Sequence, residues 1–281
     1  MQKWLPISLV VVCSCSALQA DSITRESPLD RAFDRLYNFD FVEAHRIVDD
    51  FISGHSEEPL PYAVRGSILL FQELDRLGIL ESEFFSSDDR VKAKRKLKAD
   101  PLVRQRFYSS LEQAEQKARS KLASHPGDAD SLFSLSLTSG LTSDYMALIE
   151  KKQWSSLSYV KKSHKHAVAL LEKHPGFVDA YLTTGVSEYL IGSLPFFLRW
   201  FVRFDGVEGD KKVAADKLRK VAEAGRYLRP FAKVLLAIFH LREKKPLKSR
   251  QYLSELAVEF PENPLFSREL QKVSELISKR N

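Results

Sequence analysis

The sequence is short of cysteine, glycine and proline, and each shortage narrows what the chain can be. Its two cysteines, Cys13 and Cys15, stand near the N-terminus, so nothing beyond them can form a disulfide, a thiolate metal site or a cysteine nucleophile. Eleven glycines and twelve prolines in 281 residues leave long stretches without a breaker, which favours helices joined by short turns. No stretch alternates apolar and polar residues as a half-buried strand does. Chemical signatures are missing as well: there is no Gly-x-Ser-x-Gly elbow, phosphate loop or dinucleotide fingerprint. Ser158-Tyr159-Val160-Lys161 has a Ser-x-x-Lys spacing without the supporting motifs and reads as surface. His164 and His166 would point about 200° apart on a helix, and the other histidines are scattered. No catalytic residue, metal or cofactor is therefore expected.

Long apolar runs are absent too. Lys3 followed by Leu5 to Val12 and then Leu18-Gln19-Ala20 fits a signal peptide over residues 1–20, because the apolar run falls far short of the roughly 20 residues of a spanning helix. A buried N-terminal helix or a weak membrane anchor is the alternative. Val12-Cys13-Ser14-Cys15 loosely resembles a bacterial lipobox, so a lipoprotein tethered through Cys15 is a second one. Net charge is +6, or +5 without residues 1–20, which hold Lys3 and no acid. Export to a periplasm or cell envelope points away from nucleic acid. It leaves a protein or peptide ligand, with a membrane surface as the alternative partner.

What is present is a repeat. His125-Pro126-Gly127-Asp128-Ala129-Asp130 is echoed by His174-Pro175-Gly176-Phe177-Val178-Asp179-Ala180, and again by Phe260-Pro261-Glu262-Asn263-Pro264. Twelve and eight positions before each leading proline stand Ala114 and Ala118, Ser163 and Ala167, and Ser249 and Leu253. That spacing resembles the second helix of a tetratricopeptide repeat, where small residues let paired helices approach and a proline ends the unit. Tyr62 with Gly66 and Tyr181 with Gly185 resemble the first-helix signature, and Asn38 to Ala44 resembles the turn between paired helices, with Ala44 at the small position. The resemblance implies an all-α, tetratricopeptide-like superhelix of helical hairpins, of the bacterial exported type, over residues 21–281.

Periodicity and caps predict helices at Pro28–Tyr37, Asp40–Ser53, Pro61–Leu77, Asp88–Lys98, Leu102–Ser124, Ala129–Lys151, Ser155–Lys173, Val178–Ile191, Phe196–Phe204, Lys211–Ala224, Pro230–Glu243, Pro246–Glu259 and Pro264–Lys279. An irregular insert spans about 78–100, and the last helix reads as a solvated cap. Within the insert, Arg90, Lys92, Lys94, Arg95, Lys96 and Lys98 form a basic run, either a solvated face balanced by Asp88, Asp89 and Asp100 or a dock for an acidic partner or lipid head groups.

Residues 175–260 carry a narrower resemblance. Ser193-Leu194-Pro195 and Gly206-Val207-Glu208-Gly209-Asp210 are similar to motifs of the eukaryotic tetratricopeptide family that includes the yeast inclusion-body clearance proteins. What this implies is a helical interaction protein, with no active site to transfer. Between the motifs, Phe196, Phe197, Trp200, Phe201 and Phe204 leave only Arg199 and Arg203 as a polar face. Such a helix is either a buried wedge or an interface patch.

The expectation is a non-enzymatic scaffold that binds a protein or peptide on a concave surface lined by first helices, with Tyr62, Tyr181, Tyr189, Arg199 and Arg203 as contacts. A peripheral membrane or envelope structural protein, docking through 196–204 or a lipid, is one rival. A helical enzyme acting on envelope glycans or lipids is the other.

Overall fold

The computed structural model describes residues 27–80, 98–193 and 207–279. The leader with Cys13 and Cys15, most of the basic run, and the aromatic segment with Arg199 and Arg203 lie outside the described residues.

The described chain is helical throughout: α1 (Pro28–Tyr37), α2 (Phe41–Gly54), α3 (Pro59–Arg76), α4 (Pro101–Ser124), α5 (Ala129–Asp144), α6 (Gln153–Lys173), α7 (Ala180–Ser193), α8 (Lys211–Ala224), α9 (Arg229–Arg242), α10 (Pro246–Glu259) and α11 (Pro264–Ser278). Their starts follow from local chemistry. Asp40, Asp100, Asp128, Asp210 and Asn263 each accept a backbone N–H of the following first turn, and Ser27 and Asp30 close a capping box. Proline opens several of the helices, where its missing N–H removes nothing from the ladder.

Consecutive helices pack as hairpins, α1 with α2, α3 with α4, α5 with α6, α7 with α8 and α9 with α10, with α11 covering the last. First helices also touch one another, α1 on α3, α3 on α5 and α5 on α7, so they form the inner row of an all-α array of tetratricopeptide-like hairpins. The small stripe on the second helices makes this possible. Ala114, Ala118, Ala167 and Ser249 are fully buried, and Ser163 and Leu253 nearly so. Facing them, Gly66 would set a Cβ against Leu111, Gly140 against Ser163 and Gly185 against Ala214 and Lys217. Gly140 is the third member of a series in which sequence spacing shows only Gly66 and Gly185.

Two features depart from expectation. The segment 129–151 is helical to Ile149 but not α-helical throughout: after Asp144, Tyr145–Ile149 widen into a π turn, with Glu150 N–H donating to the Tyr145 carbonyl at 3.0 Å. The wider turn seats Tyr145, fully buried, on Phe107 with ring centroids 4.5 Å apart. Tertiary packing therefore overrides the continuous helical pattern.

The second departure concerns the array's ends, which meet. The Tyr37 hydroxyl donates to the Tyr227 carbonyl at 3.0 Å, and Asn263 Nδ2 donates to the Tyr37 carbonyl at 2.8 Å. Arg226 pairs with Asp30 at 2.9 Å, and Phe33 packs on Tyr227 with centroids 5.1 Å apart. Thus α1 closes onto the turns before α9 and α11, and the concave surface becomes a partly enclosed hollow.

Candidate functional site

The hollow has a volume of about 270 Å³ and a mostly apolar wall built by the inner row. Helix α3 supplies Leu70, Phe71 and Leu74, α7 supplies Val186, Tyr189 and Leu190, and α9 supplies Phe231, Val234, Leu235 and Ile238. Phe39, in the turn after α1, and Phe266 of α11 complete it. Phe39 holds φ +64, the left-handed conformation that ends α1, with the Asp40 N–H donating back to the Arg35 carbonyl at 2.9 Å. Phe71 and Phe231 meet edge to face across the hollow's lining, with centroids 5.7 Å apart.

Two charged side chains border this space among the described residues, Asp144 and Arg242. Asp144 is the last residue of α5, where the π turn begins. Its side chain is exposed at the margin of the hollow. Desolvation pushes its pKa up to about 7, with no charged neighbour contributing. Its carboxyl makes no hydrogen bond or ion pair with any described residue.

Buried carboxyls among the described residues are held by partners of their own. Fully buried Glu73 accepts the Asp100 N–H at 2.8 Å and pairs with Arg76 at 2.7 Å. Glu188 accepts the Gly209 N–H at 2.9 Å and the Lys217 ammonium at 3.4 Å. Asp179 accepts the N–H groups of Arg226, Tyr227 and Leu228 at 3.0, 3.1 and 2.7 Å. These acids latch the next stretch of chain in place. Asp144, which is exposed, latches nothing.

Its titration has a consequence for stability. The native carboxyl holds its proton up to about pH 7, whereas the unfolded one ionises near its ordinary value. Between those values the native state binds more protons, so stability falls as pH rises. Asp144→Asn should remove that component, raising the melting temperature more at pH 8 than at pH 5. Equal shifts at both pH values, measured by thermal circular dichroism, would show that Asp144 is not held neutral.

Of the expected contacts, Tyr189 lies on the wall, its ring 5.2 Å from that of Phe239. Tyr181 stands on the same helix outside the hollow, covered by the Lys220 ammonium 3.7 Å from its ring centroid. Tyr62 is nearly buried, its hydroxyl donating to the Ser56 carbonyl at 3.0 Å and its ring flanked by Arg65 and Lys117. Its role is packing between hairpins, so the three tyrosines do not form one surface. No motif or spacing in the sequence marks Asp144 or the α9 face, because only the packing of distant hairpins brings them to one hollow. No group of three or more His, Cys, Asp or Glu capable of holding a metal occurs among the described residues, and no described helix is long and apolar enough to cross a membrane. No protein-family model matches the chain, and no curated protein and no solved structure matches it either.

Proposed function

We propose that the chain is a non-catalytic binding protein that takes an apolar protein or peptide segment into the hollow between α3, α7 and α9. The carrying observation is the hollow itself: an apolar wall presented by first helices and open where Leu190, 40% exposed, reaches solvent. At about 270 Å³ it is smaller than the roughly 300–1,000 Å³ of sites that enclose a drug-sized ligand. That size suits a few side chains of a longer segment. The leader-like residues 1–20 support placing this activity in the cell envelope, and the hairpin spacing supports kinship with exported tetratricopeptide proteins.

The test uses a fluorescein-labelled peptide, acetyl-Ser-Gly-Leu-Phe-Leu-norleucine-Leu-Phe-Gly-Ser-amide, followed by anisotropy. Leu190→Asp places a charge at the opening with little effect on folding, and it should weaken binding by about tenfold or more. Tyr181→Ala, outside the hollow, should leave binding unchanged. An unaffected Leu190→Asp would end the reading.

A further inference from the structure

We infer that one edge of the array is a docking surface for an anionic lipid bilayer. None of its residues lines the hollow, so it does not rest on peptide binding there. Eight large apolar side chains are exposed among the described residues. Five of them, Val42, Leu102, Trp154, Val213 and Leu247, hold the second or third position of the five second helices. Each second helix runs back along its partner, so that its end meets the start of the first. Lys121 pairs with Glu58, His174 reaches the Gly127 carbonyl, and Arg229 pairs with Glu259. The starts of the second helices therefore share one edge. Neighbouring starts are also joined directly. Arg104 of α4 pairs with Glu150, just before α6, at 2.7 Å, and Lys211 of α8 pairs with Glu243, just before α10, at 2.9 Å. Between them, Leu157 and Val160 of α6 gather with Val207, just before α8, around Ile191.

Single apolar residues scattered on a surface need no explanation, whereas a row that the fold lines up does. The charges around the row select the partner. Residues 98–104, 150–154, 207–213 and 243–248 hold nine Lys or Arg and five Asp or Glu. Of those acids, Asp100 and Asp210 cap helices, while Glu150 and Glu243 pair with Arg104, Lys152 and Lys211. The edge therefore presents net positive charge. The turns of the opposite edge, 55–58, 125–130, 174–179, 225–229 and 259–263, hold two basic residues and seven acidic ones. An anionic surface thus attracts one edge and repels the other. Val42 shares the register but stands beside Asp40 and Glu43, which puts α2 at the margin of the surface. A protein partner fits a contiguous apolar patch with few charges at its centre. Here Trp154, 75% exposed, and Leu247, 61% exposed, are separate tips that follow Lys151-Lys152 and Lys244-Lys245. Such tips enter the headgroup layer one by one, with the lysines among lipid phosphates and the indole at the boundary it favours.

The experiment is co-sedimentation of the full chain with vesicles of phosphatidylcholine alone or of phosphatidylcholine mixed with phosphatidylglycerol. Partitioning should be roughly tenfold or more stronger on the mixed vesicles and should fall as salt is raised. Trp154→Ser combined with Leu247→Ser should weaken it by roughly tenfold or more, and Lys212→Gln combined with Lys248→Gln by roughly tenfold. Val258→Ser changes a residue that is 82% exposed at the far end of α10 and should leave partitioning as it was. All five side chains are exposed, and unchanged melting by circular dichroism confirms that each variant folds. No partitioning onto the mixed vesicles overturns the inference. Equal partitioning onto both kinds of vesicle overturns the anionic requirement. Partitioning that survives the Trp154 and Leu247 changes, or that Val258→Ser weakens as much, overturns the assignment to this edge. Binding to soluble polyglutamate without binding to vesicles overturns the lipid in favour of an acidic protein. The vesicle and salt comparisons use the unaltered chain and decide the matter even if a variant folds poorly.

Discussion

Asp179→Ala should lower the unfolding free energy by roughly 3–5 kcal/mol, among the largest effects of any single substitution in this chain. Asp179 is 3% exposed and accepts the N–H groups of Arg226, Tyr227 and Leu228. Burial penalises its charge and pushes its pKa upward, while the three donors pull it back. Removing the carboxyl strands those donors, and a buried unsatisfied donor costs about 1–3 kcal/mol. Water entering the space left behind offsets part of the sum. The damage also spreads, because Tyr227 is where α1 closes the array, through its carbonyl and its ring. Asp179→Asn keeps one acceptor oxygen and should lose about half as much. Urea denaturation measures both, and amide exchange should show α1 opening early in the alanine variant. A loss below about 1 kcal/mol for alanine would mean that the turn holds itself without the carboxyl.

The second large effect is expected at the joint between α7 and α8. A Cβ on Gly192 would stand 2.3 Å from the Gly209 carbonyl oxygen and 3.0 Å from its carbon, and both are backbone atoms that no rotamer can move aside. Gly209 holds φ +78, and a Cβ there would stand 2.7 Å from Ile191 Cγ2 and 2.8 Å from the Gly192 nitrogen, so the two segments touch backbone to backbone. Gly192→Ala should therefore destabilise by about 2–3 kcal/mol, the scale of overpacking in a site that cannot relax. Gly209→Ala adds the strain of a left-handed backbone to a similar clash. Gly54→Ala is the control: its Cβ meets nothing within 4 Å and should be neutral or slightly stabilising. Because α7 carries Val186, Tyr189 and Leu190 to the hollow, Gly192→Ala should also weaken peptide binding. A variant as stable as the parent would mean that the joint tolerates a separation of the two backbones.

Both predictions lie on features that the residues announce in different degrees. Gly209-Asp210 was readable as a turn and a helix cap, since an aspartate after a glycine suits both roles. Its partner Gly192 gains meaning only from proximity to Gly209, 17 positions away. The small stripe is the opposite case. Ala114, Ala118, Ser163, Ala167 and Ser249 are buried as their spacing requires, because a helix pair cannot approach closely over large side chains. Among the expected contacts, Tyr189 faces the hollow while Tyr62 is packed and Tyr181 lies aside. Repeat position alone indicates a helix face, and neighbouring hairpins decide whether that face is covered.

Over the described residues the sequence by itself determined the helices and their pairing, because periodicity, N-terminal acids, prolines and small stripes act over a few turns of chain; the predicted helices Asp88–Lys98 and Phe196–Phe204 fall on residues outside them. Only the tertiary structure decided that the array closes on itself, since the contacts of Tyr37 with Tyr227 and Asn263 join residues 190 and 226 positions apart. The same closure turned an expected open surface into a hollow. Likewise, the helix predicted over 129–151 runs on to Ile149 but widens into a π turn after Asp144, where Tyr145 stacks on Phe107 of α4. What separates the two sets is range. Local chemistry is written along the chain, whereas contacts between residues so far apart depend on every hairpin that lies between them.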